Sequence, residues 1–265
     1  MVYQRKRKLG RGVAIVGAGM SKFGVRTGMN NRELFVEAFE DMKASVDRGI
    51  DPKDIEALWI GNCGTEVWES QMVIGVLCAD WVGLIPASAR KVEAACASSS
   101  VAVRDALMAI ASGMYDVVLA GGVEKMTTLT TNETTMALAS GSDTVYEASA
   151  GFTFPGLYAS MATAHMHEYG STMEDFMKVG IKNHENGALN PKAHFRSSIR
   201  GIMESPLILA FPLPVRNPLK GTRRELLSLQ ANISGREYAK RLDAYTSGGQ
   251  HRANPTCQVH TQVLG

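Results

Sequence analysis

The chain has 265 residues, of which 45% are apolar and 20% charged, a composition typical of a soluble globular protein with one large domain or two smaller ones. No apolar run approaches the roughly 20 residues that cross a bilayer, so we expect neither a membrane segment nor a signal peptide. The net charge is +2, and basic residues concentrate at 1–11 and 216–265 without zinc-ligand spacing or an RNA-binding signature, so we expect solvated ends and no nucleic-acid partner.

The first half of the chain alternates predicted strands and helices. Short apolar runs predict four strands, at 13–20, 57–63, 90–95 and from 116 onward. Between them, Asn30 with Glu33 marks a helix start, an apolar segment near 71–79 predicts a second helix, and a third follows Cys96. This alternation predicts an α/β fold with a parallel sheet covered by helices on both faces.

Two glycines close the first apolar run, and Gly17-Ala-Gly19 begins like a dinucleotide-binding fingerprint. That fingerprint requires a third glycine at position 22, which is Lys22 here. We therefore reject a dinucleotide site at this strand end.

Cys96 lies at the junction between the third predicted strand and the helix that follows it. Backbone N–H groups at a helix N-terminus are unpaired and the helix dipole is positive there, so a thiolate is favoured over a thiol. Ligand sites in parallel sheets also lie at the carboxyl ends of strands. We interpret Cys96 as a nucleophile; the alternative is a buried structural cysteine.

The other cysteines are Cys63, Cys78 and Cys257, and the four together show no metal-ligand spacing. We therefore expect no metal site. Without a secretory signal, the expected state is reduced thiols in a cytoplasmic protein.

After residue 126 the sequence changes character. Small and polar residues are followed by a predicted helix at 156–170 and by a second helix that begins at a capping box of Ser171 and Glu174 and ends at Asn190-Pro191. We predict an α/β core over 12–126, a mostly helical loop domain over 127–205, and an atypical tail over 206–265.

Three motifs in order resemble the N-terminal half of the thiolases, above all the branch with sterol-carrier-protein thiolase and the archaeal acetoacetyl-CoA thiolases. Ala95-Cys96-Ala-Ser-Ser-Ser-Val-Ala resembles the family's nucleophile segment. The strand ending in Gly121-Gly-Val-Glu-Lys-Met126 resembles its Gly-Gly-x-Glu-x-Met motif, and Gly156-Leu-Tyr…His165-Met166…Glu168-Tyr169-Gly170 resembles its loop-domain segment near pantetheine. The likeness spans about 12–219.

The resemblance implies acyl transfer through a cysteine thioester, followed by Claisen condensation or the reverse thiolysis. Cys96 would be the nucleophile, and Ser98 and Ser99 would let a thioester approach the helix start. His165 and Met166 would line the pantetheine channel, with ordinary helix surface as the alternative. Coenzyme A thioesters would be substrates, and no permanently bound cofactor is implied.

The resemblance fails toward the C-terminus. The family carries a second half with a Gly-His-Pro motif and a Cys-x-Gly motif, and neither occurs here. We therefore expect a thiolase-like layered fold of which one half is present, apparently truncated, with residues from about Lys220 out of frame or replaced. C–C bond formation by such a chain would be greatly reduced or absent.

Two further expectations follow from the resemblance. An exposed apolar face on the helix after Cys96 would favour a homo-oligomer, a dimer or tetramer, and archaeal relatives engage HMG-CoA synthase and a small OB-fold protein. The alternative functions are a non-catalytic thiolase-fold half that binds coenzyme A or a partner protein, and a decarboxylating ketoacyl synthase, which also needs downstream histidines.

Overall fold

The computed structural model describes residues 10–203, and the predicted tail at 206–265 lies outside the described residues. The described residues divide into two compact units, 10–137 with 172–203, and 138–171. The domain boundaries predicted from the sequence stay a prediction. Among the described helices, none combines the length and the apolar character needed to cross a membrane.

The first unit contains all the described strands and most of the described helices. The strands are β1 (Ala57–Gly61), β2 (Ser88–Val92) and β3 (Val118–Gly122). The helices of this unit are α1 (Asn31–Ala44), α2 (Thr65–Trp68), α3 (Ile74–Trp81), α4 (Ser98–Ala111), α7 (Met173–Leu189) and α8 (Arg200–Met203). Helix α5 (Thr131–Ala139) crosses the boundary between the units, and α6 (Phe154–Tyr169) lies in the second.

The three strands form a parallel sheet in the order β2-β1-β3. Every residue of β1 is buried, because neighbours cover both its edges and both its faces. Leu58 and Ile60 pack in the cluster that includes Phe35 of α1 and Ile74 of α3, whereas Trp59 packs with Ala102 of α4. The predicted α/β fold, with helices on both faces of a parallel sheet, is therefore confirmed.

The strand predicted at 13–20 is wrong. These residues are extended but pair with no other strand among residues 10–203, and Ile15 and Val16 are 86% and 65% exposed. The segment lies instead along α1. The N–H groups of Ala18, Met20 and Lys22 donate to side chains of α1 and its C-cap at 2.8–2.9 Å, the acceptors being the C-cap Ser45 Oγ and, within the helix, Asp41 Oδ2 and Glu37 Oε1.

The spacing of alternate amides in the extended segment matches the spacing of side chains along the helix, which explains this contact. Alternate amides of an extended chain are about 6.6 Å apart, and side chains four residues apart on a helix are separated by about 6 Å along its axis. The glycines allow the close approach, since a Cβ on Gly19 would lie 2.2 Å from Met42 N and one on Gly17 would lie 2.6 Å from Val46 Cγ2. The apolar run is therefore held by a helix rather than by a sheet.

Helix α4 rests directly on the carboxyl ends of β1 and β3. A Cβ on Gly61 would lie 2.3 Å from Ser99 N, and one on Gly122 would lie 1.9 Å from Ser99 Oγ. Real Cβ atoms do not make such contacts, so only glycine lets the first turn of α4 approach the strands this closely. These two glycines fix the position of the helix N-terminus above the sheet.

The opposite side of α4 is apolar and exposed. Ala102 and Ala106 are buried against the sheet, whereas Val103, Leu107 and Met108 are exposed. The sequence predicted such a face.

The capping box predicted for α7 is displaced by one residue. Thr172, not Ser171, is the N-cap. The Thr172 side chain accepts a hydrogen bond from the Asp175 N–H, and the Asp175 side chain accepts one from the Thr172 N–H. The predicted end at Asn190-Pro191 is confirmed, because Asn190 is the C-cap.

We predict that Gly61→Ala destabilises the first unit by about 1–3 kcal/mol, because the added Cβ forces α4 away from β1. Urea denaturation followed by circular dichroism measures the change. The matched control is Gly121→Ala in β3, where a Cβ meets no atom within 4 Å and stability should be unchanged or slightly higher. Equal stability of the two variants would contradict the close contact.

Candidate active site

Three potentially reactive side chains follow the three strands at the same edge of the sheet. Cys63 follows β1, Cys96 follows β2 and Glu124 follows β3. Because the strands are parallel and in register, with Gly61 opposite both Val92 and Gly122, their carboxyl ends meet at one edge. This is the edge at which open α/β sheets bind ligands.

Cys96 is exposed and lies in a 3₁₀ turn, Ala95–Ala97, that continues into α4 at Ser98. The structure therefore has the cysteine at the N-terminal end of a long helix, as the sequence predicted. Its N–H group donates to no acceptor within residues 10–203. An exposed thiol beside a free N–H can attack an electrophilic carbonyl and donate a hydrogen bond to the resulting oxyanion.

Ser98 and Ser99 differ in their surroundings. The Ser98 hydroxyl is buried, donates to Ala95 O at 2.7 Å and accepts from Ala94 N at 2.9 Å. It could bind a substrate only by giving up its bond to Ala95. Ser99 is exposed overall, with its hydroxyl close to Gly122. A substrate contact by either serine stays a prediction.

Asn62, which the sequence analysis missed, ties the three strand ends together. Its N–H donates to the carbonyl oxygen of Val92, the last residue of β2, at 3.1 Å. Its side-chain amide donates to Val123 O, just after β3, at 2.7 Å. Its side-chain oxygen accepts from Thr65 N, the first residue of α2. Asn62 is 1% exposed, so these bonds replace water and hold the edge rigid.

The carboxylate of Glu124, also missed, is held by four donors. It accepts from the backbone N–H groups of Cys63 and Gly64, at 2.6 and 3.2 Å, and from the side chains of Asn62 and Trp68. The Gly-Gly-x-Glu pattern of the sequence was the available signal. Glu124 therefore shapes the turn that presents Cys63.

The thiols differ in their readiness to ionise. Burial, followed by the charges of Glu124 and Glu93 and the neighbouring Cys96, raises the pKa of Cys63. Burial alone raises the pKa of Cys78 to about 12, so this thiol in α3 is a core residue. Cys257 lies outside the described residues.

His165 and Met166 lie on α6 in the second unit. The imidazole of His165 is exposed and contacts the ring of Tyr169 at a centroid distance of 4.7 Å, and Met166 is half-buried. A role for these residues in pantetheine binding stays a prediction.

Two other histidines, His184 and His194, lie together in the first unit. They line a cavity of about 350 Å³ with Phe23, Asn183, Asn190, Ala193 and Phe195. The His194 ring stacks on Phe195 with 4.5 Å between centroids.

Within residues 10–203, no cluster of potential metal-ligating side chains is found. Among the residues described, no three His, Cys, Asp or Glu side chains converge in a way that could hold an ion. At the strand ends, Glu124 is bonded to protein donors and Glu93 to a backbone N–H group.

Comparisons with known proteins identify a matching family model and several relatives. Residues 13–204 match the family model described as "Thiolase, N-terminal domain". The chain is 41% identical over 200 residues to the acetyl-CoA acetyltransferase of Methanothermobacter thermautotrophicus and 37% identical over 255 residues to that of Methanocaldococcus jannaschii. It is also 30% identical over 209 residues to sterol carrier protein 2 of Bos taurus.

The alignments cover more of this chain than of its relatives. They include 75%, 95% and 75% of this chain but 51%, 64% and 38% of the three relatives, in the order given. The chain thus spans less than two thirds of the length of each of these relatives. The alignment with the Methanocaldococcus protein extends beyond residue 204, where the family match ends.

We predict that Cys63 reacts with iodoacetamide along a pH profile displaced upward from that of a free cysteine, whose pKa is about 8.5. Replacing the carboxylate in Glu124→Gln should move the profile back toward lower pH, because a nearby negative charge disfavours the thiolate. Glu93→Gln should act in the same direction but less, since Glu124 contributes more to the shift.

Peptide mass mapping after timed labelling measures these profiles separately for each cysteine. The matched control is Glu40→Gln, whose carboxylate lies on α1 beside Lys43. A Cys63 profile that is the same in Glu124→Gln and in the native chain would contradict the electrostatic origin of the shift. Cys78 should remain unlabelled until the chain is unfolded.

Proposed function

Because the chain belongs to the thiolase family, we propose that it is an acyl-CoA C-acyltransferase in which Cys96 is the nucleophile. The observation that carries this proposal is the exposed thiol of Cys96 in the turn that begins α4, at the carboxyl edge of a parallel sheet. The names of the two archaeal relatives support an acetyl-CoA substrate.

The proposed first half-reaction transfers the acyl group to the protein. The Cys96 thiolate attacks the thioester carbonyl, the sulfur–carbon bond to Cys96 forms, and the bond to coenzyme A breaks. Coenzyme A leaves as a thiolate and takes up a proton. The unpaired Cys96 N–H supports the tetrahedral intermediate, whose oxyanion needs donors already in place.

The proposed second half-reaction forms or cleaves a carbon–carbon bond. In condensation, a second acetyl-CoA loses a proton at carbon and attacks the acyl-Cys96 carbonyl, which releases Cys96. In thiolysis the same steps run in reverse. A base must take the carbon-bound proton. We assign no residue of the three thiolase-like motifs to that role.

A second candidate function is a non-catalytic thiolase-fold half that binds coenzyme A or a partner protein. The exposed apolar residues of α4, Val103, Leu107 and Met108, support association with a second copy or another protein.

We predict that acetyl-CoA transfers one acetyl group to Cys96 and releases one equivalent of coenzyme A. Intact mass measurement, peptide mapping and a free-thiol assay detect the two products, and hydroxylamine should remove the acetyl group as expected for a thioester. Cys96→Ala should abolish the modification, whereas the matched control Cys63→Ala should retain it.

The possible outcomes separate the two candidates. Acetoacetyl-CoA formation that depends on Cys96 supports the transferase. Saturable coenzyme A binding without acetylation supports the non-catalytic half. If the folded chain shows neither binding nor acetylation, the transferase is overturned, and so is the coenzyme A-binding form of the second candidate.

A further inference from the structure

The residue before the proposed nucleophile has an unfavourable backbone conformation. Ala95 has φ of 47°, in the left-handed region, although it is not glycine. A Cβ in this region crowds the backbone, so such a residue persists only when its surroundings hold it there. The groups that hold Ala95 in this conformation therefore also set the direction of the backbone at Cys96.

Two side chains hold the backbone of Ala95 from opposite sides. The carboxylate of Glu93, through Oε1, accepts the Ala95 N–H. The hydroxyl of Ser98 donates to Ala95 O at 2.7 Å and accepts the N–H of Ala94 at 2.9 Å. Both polar groups of the strained peptide unit are therefore bonded to side chains within the same short loop.

Ser98 is buried, whereas Glu93 is exposed. An exposed carboxylate gains little from a hydrogen bond in water unless the bond shapes the backbone, because water competes for the same group. Its negative charge, moreover, helps to raise the pKa of the neighbouring Cys63. The hydrogen bond to Ala95, rather than the charge, is thus the useful property of this side chain.

We propose that Glu93 is a positioning residue, whose carboxylate holds Ala95 in the left-handed conformation and so directs Cys96 toward its substrate. The inference rests on the proposed function of Cys96. Glu93 contacts neither Cys96 Sγ nor the substrate in this role; it acts through the backbone of Ala95.

Two substitutions separate the hydrogen bond from the charge. Glu93→Gln keeps an oxygen acceptor for Ala95 N–H and removes the charge, whereas Glu93→Ala removes both. We expect Glu93→Ala to slow acetylation of Cys96 by acetyl-CoA about 10- to 100-fold, the cost of a misplaced reacting group. Glu93→Gln should retain the native rate at neutral pH.

A third substitution tests the strain itself. Glycine adopts positive φ without a steric penalty, so Ala95→Gly should need the Glu93 clamp less. The double variant Glu93→Ala with Ala95→Gly should therefore recover part of the rate lost in Glu93→Ala. A purely structural role of Glu93 in stability would not predict this rescue, and urea denaturation of each variant shows whether stability has changed.

Labelling of Cys96 by iodoacetamide provides the reference rate. This small reagent approaches from many directions, so its rate should change little in Glu93→Ala while acetylation falls. Equal loss of acetylation in Glu93→Gln and Glu93→Ala, or no loss in Glu93→Ala, would overturn the proposal.

Failure of the proposed function gives a different result. If the native chain is not acetylated but Cys96 still reacts with iodoacetamide, the acyltransferase proposal fails. Hydrogen exchange of the Ala95 amide then decides the positioning role: faster exchange in Glu93→Ala than in Glu93→Gln supports the clamp, and equal exchange contradicts it.

Discussion

The contact between the first turn of α4 and two strand ends is the constraint on which the site depends. Gly61 and Gly122 leave no room for a Cβ against Ser99, so the helix can sit on β1 and β3 only because both positions lack a side chain. That contact places the N-terminus of α4 at the carboxyl edge of the sheet, and the turn carrying Cys96 follows from it. Backbone proximity, more than any side-chain interaction, therefore determines where the thiol lies.

Polar side chains then lock the edge that the glycines have created. Asn62 joins the ends of all three strands, Glu124 holds the turn after β1, and Glu93 and Ser98 hold the turn after β2. Two of these groups are carboxylates beside thiols, and their charges raise the pKa of Cys63. The edge thus combines a rigid backbone with negative charges that disfavour the thiolate of Cys63.

The sequence predicted the elements whose signals are local. The Asn30 cap of α1, the apolar strand β1 and the helix after Cys96 all have short-range patterns, and the structure confirms them. The run at 13–20 was misassigned because its position depends on hydrogen bonds to a distant helix. The spacing of acceptors along α1 is visible only when the two segments are placed together. Asn62 and Glu124 were missed for the same reason: they act across strands that are some 60 residues apart in sequence. The site roles of Ser98, Ser99, His165 and Met166 remain predictions.

The extended segment at 13–20 has a consequence for how the protein behaves at high concentration. Its amides at 18, 20 and 22 face α1, so the alternate amides face away from the helix, and within residues 10–203 those of Gly17 and Gly19 have no acceptor. Among the strands of residues 10–203, β3 likewise pairs along one edge only. A row of unsatisfied backbone groups flanked by exposed Ile15 and Val16 is a template for cross-chain strand pairing, the event that begins ordered aggregation. The same glycines that fit this segment to a helix deprive it of the charged side chains with which natural proteins protect open edges.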